Sequence, residues 1–276
     1  MPRSLLAAGA AFALIFASGC GGDDSPFVDD FGRCADFDPL KQVYWGDTHI
    51  HTDLSFDANM QGTRTNQEDA YAFARGEAIP LQPYREDGTP TRMAQIDRPL
   101  DFVMLSDHAE FLGTLEVCND SDSPGYDARQ CVDYRAAQEF DADPRDVVLI
   151  FVEINGQTAF EPEDANYPAH CGADASLCLD AVKDVWSNIV DDSEGAYERS
   201  DSCEITTFQG YEWIGGPMSK NLHRNVMFKS ASVTELPYNY FDEPYAEGLW
   251  QRLEEECIAA DSGCDVLTIP HNTNLS

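Results

Sequence analysis

The sequence has few basic side chains, and this shortage excludes a large class of partners. Only 17 lysines and arginines stand against 50 aspartates and glutamates, which gives a formal net charge of -33. Binding to nucleic acid or to an anionic membrane surface depends on clustered Lys and Arg. We therefore expect no nucleic-acid partner and no membrane contact through a basic surface.

Cysteine pairs with CxxC spacing are absent, which argues against a zinc site built from thiolates. Histidine is scarce, with six residues in a chain of 276. Two of these six stand one residue apart in the stretch YWGDTHIHTDLSFDA, which begins at Tyr44. A scarce residue placed twice between aspartates suggests one part of a metal site.

Near the N-terminus, the apolar run LLAAGAAFALIFA follows Arg3 and is too short for a comfortable membrane span. It ends in ASGC, which is typical of a bacterial lipoprotein signal with Cys20 as the lipidated residue. We expect residues 1–20 to direct export and residues 21–42 to form a polar tether. The protein would be lipid-anchored in the bacterial cell envelope, in the periplasm or at the outer membrane, with no other membrane contact. Ala17 stands where such signals more often have Leu, so secretion is the alternative.

Eight cysteines remain besides Cys20, and an even number in an exported protein indicates disulfides. Short loops favour the pairs Cys118–Cys131, Cys171–Cys178 and Cys257–Cys264, which leave Cys34 with Cys203. Sequence alone leaves other connectivities open.

The pattern of elements predicts an α/β architecture with a largely parallel sheet or barrel. Predicted strands are VYWGDTHIH, PLDFVMLSDH, TTFQGYEWI, HRNVMFK and DVLTIPHN, and the second has the apolar run of a buried parallel strand. Predicted helices are TNQEDAYAFARGE, SLCLDAVKDVWSNIV and PYAEGLWQRLEEECIAA. Thr65 and Glu68 have the spacing of a capping box. Residues 114–200 are interpreted as a disulfide-rich insertion laid over the core, and the type of its apolar run VVLIFVEI stays open.

Five histidines fall at the edges of predicted strands, whereas His170 lies in the cysteine-rich insertion. Functional sites collect at the carboxyl ends of parallel strands. Two carboxylates, Asp57 and Glu212, occupy similar positions, and histidine mixed with carboxylate suits zinc, manganese or iron. The predicted metal ligands are His49, His51, Asp57, His108, Glu212, His223 and His271.

The motifs GDTHIHT, SFDA, LSDHAEF, GYEW and IPHN resemble, in order, those of the PHP (polymerase and histidinol phosphatase) superfamily. The fuller phrases YWGDTHIHT, RPLDFVMLSDHAEFLG and IPHNTNLS resemble its exported, largely uncharacterised branch. The resemblance covers residues 43–276 and implies a distorted (β/α)7 barrel that holds two or three divalent metal ions.

The resemblance also implies individual roles. His49 and His51 resemble ligands of a first ion, Glu212 a bridge to a second, His223 and His271 ligands of that second ion, and Asp57 and His108 ligands of a third. Asp47 and Asp107 would support the ligands without touching metal, with Asp107 orienting an imidazole.

The superfamily pattern closes with an Asp-x-His motif, and none follows IPHNTNLS. We therefore expect the chain to be the N-terminal part of a longer protein, with an incomplete barrel and no activity by itself. DVLTIPHN should then lie at an edge of the sheet.

The expected function is metal-dependent hydrolysis of phosphate esters, or of similar small anionic esters, by a metal-activated hydroxide. Arg224 and Lys220 flank His223 and are candidates for contact with the anionic group. The alternatives are an amidohydrolase-like metallohydrolase and a metal-binding surface lipoprotein without turnover.

Overall fold

The main sheet has five strands in the computed structural model, which describes residues 34–35, 40, 42–138, 166–215 and 222–271. In order across the sheet, the strands are β1 (Gly46–Ile50), β4 (Phe102–Leu105), β5 (Thr206–Trp213), β6 (Arg224–Phe228) and β7 (Val266–Pro270). An antiparallel hairpin of β2 (Ile79–Tyr84) and β3 (Pro90–Ala94) stands apart from this sheet, and the sequence patterns had not predicted it.

Strand directions make the sheet mixed, so the prediction of a largely parallel sheet is wrong for one half of it. β1, β4 and β5 run parallel, whereas β6 is antiparallel to both β5 and β7. Residues 214–223 join β5 to β6, a connection shorter than the crossover that a parallel pair needs. β4 does occupy a buried parallel position, as predicted.

Within the described residues the sheet does not close into a barrel. β1 and β7 stand at its two edges, so the strand predicted from DVLTIPHN lies at an edge, as expected.

The described α-helices are α1 (Phe56–Met60), α2 (Gln67–Ala74), α3 (Ala109–Asn119), α4 (Arg129–Ala137), α5 (Ser176–Ala196) and α6 (Ala246–Leu253). All three predicted helices are confirmed, and α6 continues into a π-helical turn over Glu254–Ile258. The predicted capping box is displaced by one residue. Asn66, not Thr65, is the N-cap of α2, and its side chain and that of Asp69 accept hydrogen bonds from each other's backbone N–H groups.

One face of β5 and β6 forms the main core with α3, α5 and α6. Tyr211, Trp213 and Phe228 project from this face and are almost fully buried. Trp186 of α5 packs edge-on against Tyr211 and donates a hydrogen bond to the Thr234 carbonyl. Because side chains along a strand alternate, the residues between them face the other side of the sheet.

All four predicted disulfides are present: Cys34–Cys203, Cys118–Cys131, Cys171–Cys178 and Cys257–Cys264. Their number is characteristic of an oxidising, extracellular compartment. Among the residues that the structure describes, no helix has both the length and the apolar character that a membrane span requires. Cys20, Lys220 and the run VVLIFVEI lie outside the described residues, and the predicted boundaries of domain and insertion stay predictions.

Candidate metal centre

Five strands bring their ends together around one buried carboxylate, that of Glu212 near the end of β5. His49 lies in β1 and His51 just after it, and His108 stands between β4 and α3. His223 precedes β6 and His271 follows β7. Because β6 runs antiparallel, its amino end lies beside the carboxyl ends of its neighbours. The mixed sheet therefore still collects all five histidines at one edge.

The two oxygens of Glu212 face different histidines. Oε2 lies 2.9 Å from Nε2 of His49 and 2.8 Å from Nε2 of His51, and these two nitrogens are 3.1 Å apart. Oε1 lies 2.9 Å from Nδ1 of His223 and 2.6 Å from Nε2 of His271. A carboxylate with two imidazoles on each oxygen has the arrangement of a bridging ligand.

Asp57 and His108 extend this cluster on the Oε2 side. Oδ1 of Asp57 lies 3.0 Å from Nδ1 of His51, and its Oδ2 lies 3.7 Å from Nε2 of His108. Nδ1 of His108 lies 3.7 Å from Oε2 of Glu212. The buried hydroxyl of Ser55 donates a 2.8 Å hydrogen bond to Oδ1 of Asp57 and so fixes that carboxylate. All seven predicted ligands therefore meet in one place.

The charges of the cluster depend on one another. Burial by itself would raise the pKa of Glu212, but hydrogen bonds from His223, His49 and His51 hold it well below the usual range. Burial is likewise outweighed at Asp57, whose pKa His108 and His51 lower.

Two of the imidazoles on the Oε2 side, His51 and His108, respond to burial in opposite ways. Burial alone would lower the pKa of His51, yet Asp57 and Glu212 raise it to about 10. At His108, burial prevails and lowers the pKa below its ordinary value. A lowered pKa favours the neutral form of this imidazole, which is the form that binds metal.

The donor set fits divalent cations. Nδ1 of His108 is buried and, among the described residues, has no hydrogen-bond partner. Two triads each bring their ligand atoms within 4.8 Å of one another. The first consists of His49, Glu212 and His271, and the second of His51, His108 and Glu212. This grouping divides His49 and His51 between two positions, whereas the sequence resemblance assigns both to one. Glu212 belongs to both triads, in keeping with a bridging role.

Two other clusters of ligand-type residues lie near His170. Their cysteines, Cys118 with Cys131 and Cys171 with Cys178, are joined in disulfides and so offer no thiolate. Within the described part of the chain, the Glu212 cluster is therefore the candidate metal centre.

The two residues predicted to support the ligands, Asp47 and Asp107, differ in what they contact. Asp107 accepts hydrogen bonds from the backbone N–H and the hydroxyl of Thr52 and does not orient an imidazole. Burial raises its pKa to about 6, although both hydrogen bonds oppose the shift. Asp47 accepts from the backbone N–H of His49, 2.9 Å away, and so holds the main chain of that ligand.

Arg224 is not among the residues that converge on Glu212. On neighbouring strands, Arg224 pairs with Trp213, whereas Asn225 pairs with Glu212. Arg224 therefore lies on the same face of the sheet as Trp213, and Glu212 lies on the other face. The Arg224 guanidinium lies 5.3 Å from the ring centroids of both Trp213 and Trp250. The alternation of the strand thus turns Arg224 to the face opposite Glu212, and its contact with an anionic substrate stays a prediction.

Sequence reasoning missed three buried polar residues that lie close to the ligands in the chain: Glu110, Ser55 and Thr52. Glu110 stands two residues after His108 inside the motif LSDHAEF, and burial raises its pKa to about 8. Ser55 and Thr52 lie between the predicted ligands His51 and Asp57. Their nearness to ligands was the available signal, but Thr52 bonds to Asp107 and Ser55 bonds to His108 as well as to nearby Asp57, so two of these three partners come from a distant part of the chain.

Fold and site together define an extracellular-type, disulfide-bonded α/β protein with a histidine and carboxylate cluster at one edge of a mixed sheet. The chain belongs to the DUF3604 family, described as a protein of unknown function, whose model matches residues 38–276. No curated protein and no solved structure matches it.

Proposed function

We propose that this protein is a metal-dependent hydrolase that acts on phosphate esters or similar small anionic esters. The observation that carries the proposal is the pair of triads that share the buried carboxylate of Glu212. Two-ion sites with a shared ligand are typical of enzymes that hydrolyse phosphate esters. Zinc, manganese or iron suits the mixture of imidazole and carboxylate, and a third ion would use Asp57 with His108.

The protein's own residues would hold the ions in fixed positions. His49, His271 and Glu212 would bind one ion, and His51, His108 and Glu212 the other. Bound there, the ions would supply positive charge for anionic substrate oxygens and would lower the pKa of a water molecule.

Support from neighbouring side chains keeps the ligands oriented. Asp57 holds Nδ1 of His51, which directs Nε2 toward Glu212. Ser55 donates to that same carboxylate and also accepts from the backbone N–H of His108. Such contacts fix the tautomer and direction of a ligand ring.

Solvent reaches the cluster from the side of His49 and Asp57, whose side chains are 39% and 35% exposed. Glu212 is 1% exposed and closes the opposite side. A substrate would therefore approach over His49 and Asp57. The described lysines, Lys183 and Lys229, pair with Glu235 and Asp265 at the surface and offer no amidohydrolase-type lysine ligand.

We also propose an architecture and a cellular location that agree with this function. The five-stranded sheet would belong to a PHP-type distorted (β/α)7 barrel, with the ions at the strand ends. Export would end in lipid anchoring at Cys20, and the four disulfides support the export part of this proposal.

The test uses protein produced from its complete gene, freed of metal by chelation and then reloaded with zinc, manganese or iron. We expect hydrolysis of p-nitrophenyl phosphate or of its bis ester only after reloading, and its loss in His49→Ala. His170→Gln is the matched control, because His170 is a buried histidine away from Glu212, and it should retain activity.

Other outcomes would identify the alternatives. Metal binding without turnover on any ester would indicate a binding lipoprotein. Turnover restricted to amides or lactones would indicate an amidohydrolase-like enzyme. A protein that binds no divalent ion would contradict the proposal altogether.

A further inference from the structure

Glu110 is a fully buried carboxyl group that the proposed chemistry does not use. It lies in the first turn of α3 and is 1% exposed. Its Oε1 accepts two hydrogen bonds from backbone N–H groups, one from Ile214 at 2.9 Å and one from Tyr240 at 2.8 Å. A buried carboxyl group is costly, and a purely structural site would be filled at lower cost by an apolar side chain.

The positions of these partners indicate what the carboxyl group does. Glu110 follows His108 by two residues, and Ile214 follows Glu212 by two residues. The pairing of β4 with β5 ends before this point, at Met104 with Phe208. Beyond it, among the described residues, the two segments are joined by the bridge between His108 and Glu212 and by the hydrogen bond from Glu212 N–H to the Asp107 carbonyl.

The side chain of Glu110 therefore continues the connection where the ladder of main-chain hydrogen bonds stops. It ties the helix that begins after His108 to the strand end that follows Glu212. Its second partner, Tyr240, adds the loop that precedes α6. The separation between Nδ1 of His108 and Oε2 of Glu212 is 3.7 Å, too long for a hydrogen bond but suited to two ligands about 2.1 Å from one ion.

We infer that Glu110 is a positioning residue that sets the distance between His108 and Glu212, and thereby the affinity of the ion position that these two share with His51. This inference rests on the proposed function. The position formed by His49, Glu212 and His271 takes no ligand from the start of α3 and shares only Glu212 with the His108 position, so Glu110 should affect it much less. Glu110 touches neither substrate nor ion and acts only through the two ligands.

The test compares Glu110→Asp, Glu110→Gln and wild type by titration of the metal-free full chain with Co²⁺, followed by visible absorption. Asp is one methylene shorter and cannot reach both amides, so the His108 position should lose about 10- to 100-fold in affinity. The other position should change by less than about threefold. Gln keeps a carbonyl oxygen for both amides and should bind as wild type does.

Glu116→Gln is the matched control, because Glu116 is an exposed glutamate on the same helix. Hydrogen exchange of peptides that contain Ile214 and Tyr240, measured by mass spectrometry, provides a readout without metal. Exchange should accelerate in Glu110→Asp and stay at the wild-type rate in the other two variants.

Three results would overturn the inference: unchanged Co²⁺ affinity in Glu110→Asp, an equal loss at both ion positions, or the same loss in Glu110→Gln as in Glu110→Asp. If Glu110→Asp does not fold, Glu110→Gln decides alone. Loss of the ion from Glu110→Gln would contradict the positioning role, and retention of the ion would support it. A wild-type chain that binds no Co²⁺ would instead refute the proposed function, and the exchange data would still test the connection.

Discussion

Two histidines in this molecule, His170 buried and His51 half-buried, show how neighbours decide the role of an imidazole. His170 lies between the disulfides Cys118–Cys131 and Cys171–Cys178, where its Nε2 contacts the Thr114 carbonyl at 3.3 Å. His51 lies between the carboxylates of Asp57 and Glu212. Burial lowers the pKa of His170, but at His51 the carboxylates overcome burial and raise the pKa to about 10. Residue type and burial alone therefore do not identify a ligand, whereas facing carboxylates do.

The largest expected difference between the two regions is in metal binding. Glu212→Gln removes the charge that both triads share, and Zn²⁺ affinity measured by calorimetry should fall at least about 1000-fold, or about 4 kcal/mol. His170→Gln removes a side chain that is buried, as Glu212 is, and should leave the Zn²⁺ affinity unchanged. Equal losses of Zn²⁺ affinity in the two variants would contradict the distinction between the Glu212 cluster and the surroundings of His170.

A second difference concerns stability. Cys171→Ser with Cys178→Ser opens a disulfide of sequence separation 7 beside His170, which should lower the free energy of unfolding by about 2 kcal/mol. Zn²⁺ affinity should stay within about twofold of wild type, because these cysteines do not hold the Glu212 cluster. Urea denaturation and calorimetry on the same preparation measure the two quantities, and a large fall in affinity would show that the regions are coupled.

Protons should compete with metal at His51. Its raised pKa means that an ion must displace a proton below about pH 10, so Zn²⁺ affinity should rise up to about tenfold per pH unit between pH 6.5 and 8.5. Proton release, measured by calorimetry in buffers of different ionisation enthalpy, checks this. His51→Gln should release fewer protons, and an unchanged number would contradict the assignment.

The smallest effect is expected from the protonation of His170. Its pKa is lowered on folding, so its contribution to stability is present above the unfolded pKa of about 6.5 and is lost as pH falls through the folded value. His170→Gln should reduce the destabilisation of the metal-free protein between pH 7 and pH 5 by no more than about 1 kcal/mol. Urea titrations at both pH values measure the difference, and a steeper loss in the variant would have the wrong sign.

Local patterns predicted much of this molecule. The strand ends, the meeting of His49, His108 and His271, and the disulfide pairs follow from residue spacing, because scarce residues at strand ends have few structural alternatives. The relative direction of neighbouring strands does not follow from such patterns, so the antiparallel orientation of β6 was not predicted. For the same reason, the sequence patterns did not show which face Arg224 occupies, since that face depends on its pairing with Trp213.

Contacts between distant segments account for the other errors. Asp107 was assigned to an imidazole, but its partner is Thr52, a residue that lies on a different strand end. Glu110 stood in a quoted motif without a role, because its partners Ile214 and Tyr240 are more than 100 residues away. No periodic pattern in the sequence indicates which distant residues will form such hydrogen-bonded pairs.

The disulfide between Cys34 and Cys203 has a mechanical consequence. It links the chain segment before β1 directly to the residues that lead into β5, and the backbone N–H of Ala35 donates to the Asp201 carbonyl beside it. A pull applied to the chain before Cys34 therefore passes through a covalent bond to Cys203 and does not run along β1. Tension at the N-terminal side therefore enters the fold at the residues that lead into β5 and not at β1, the strand that carries His49.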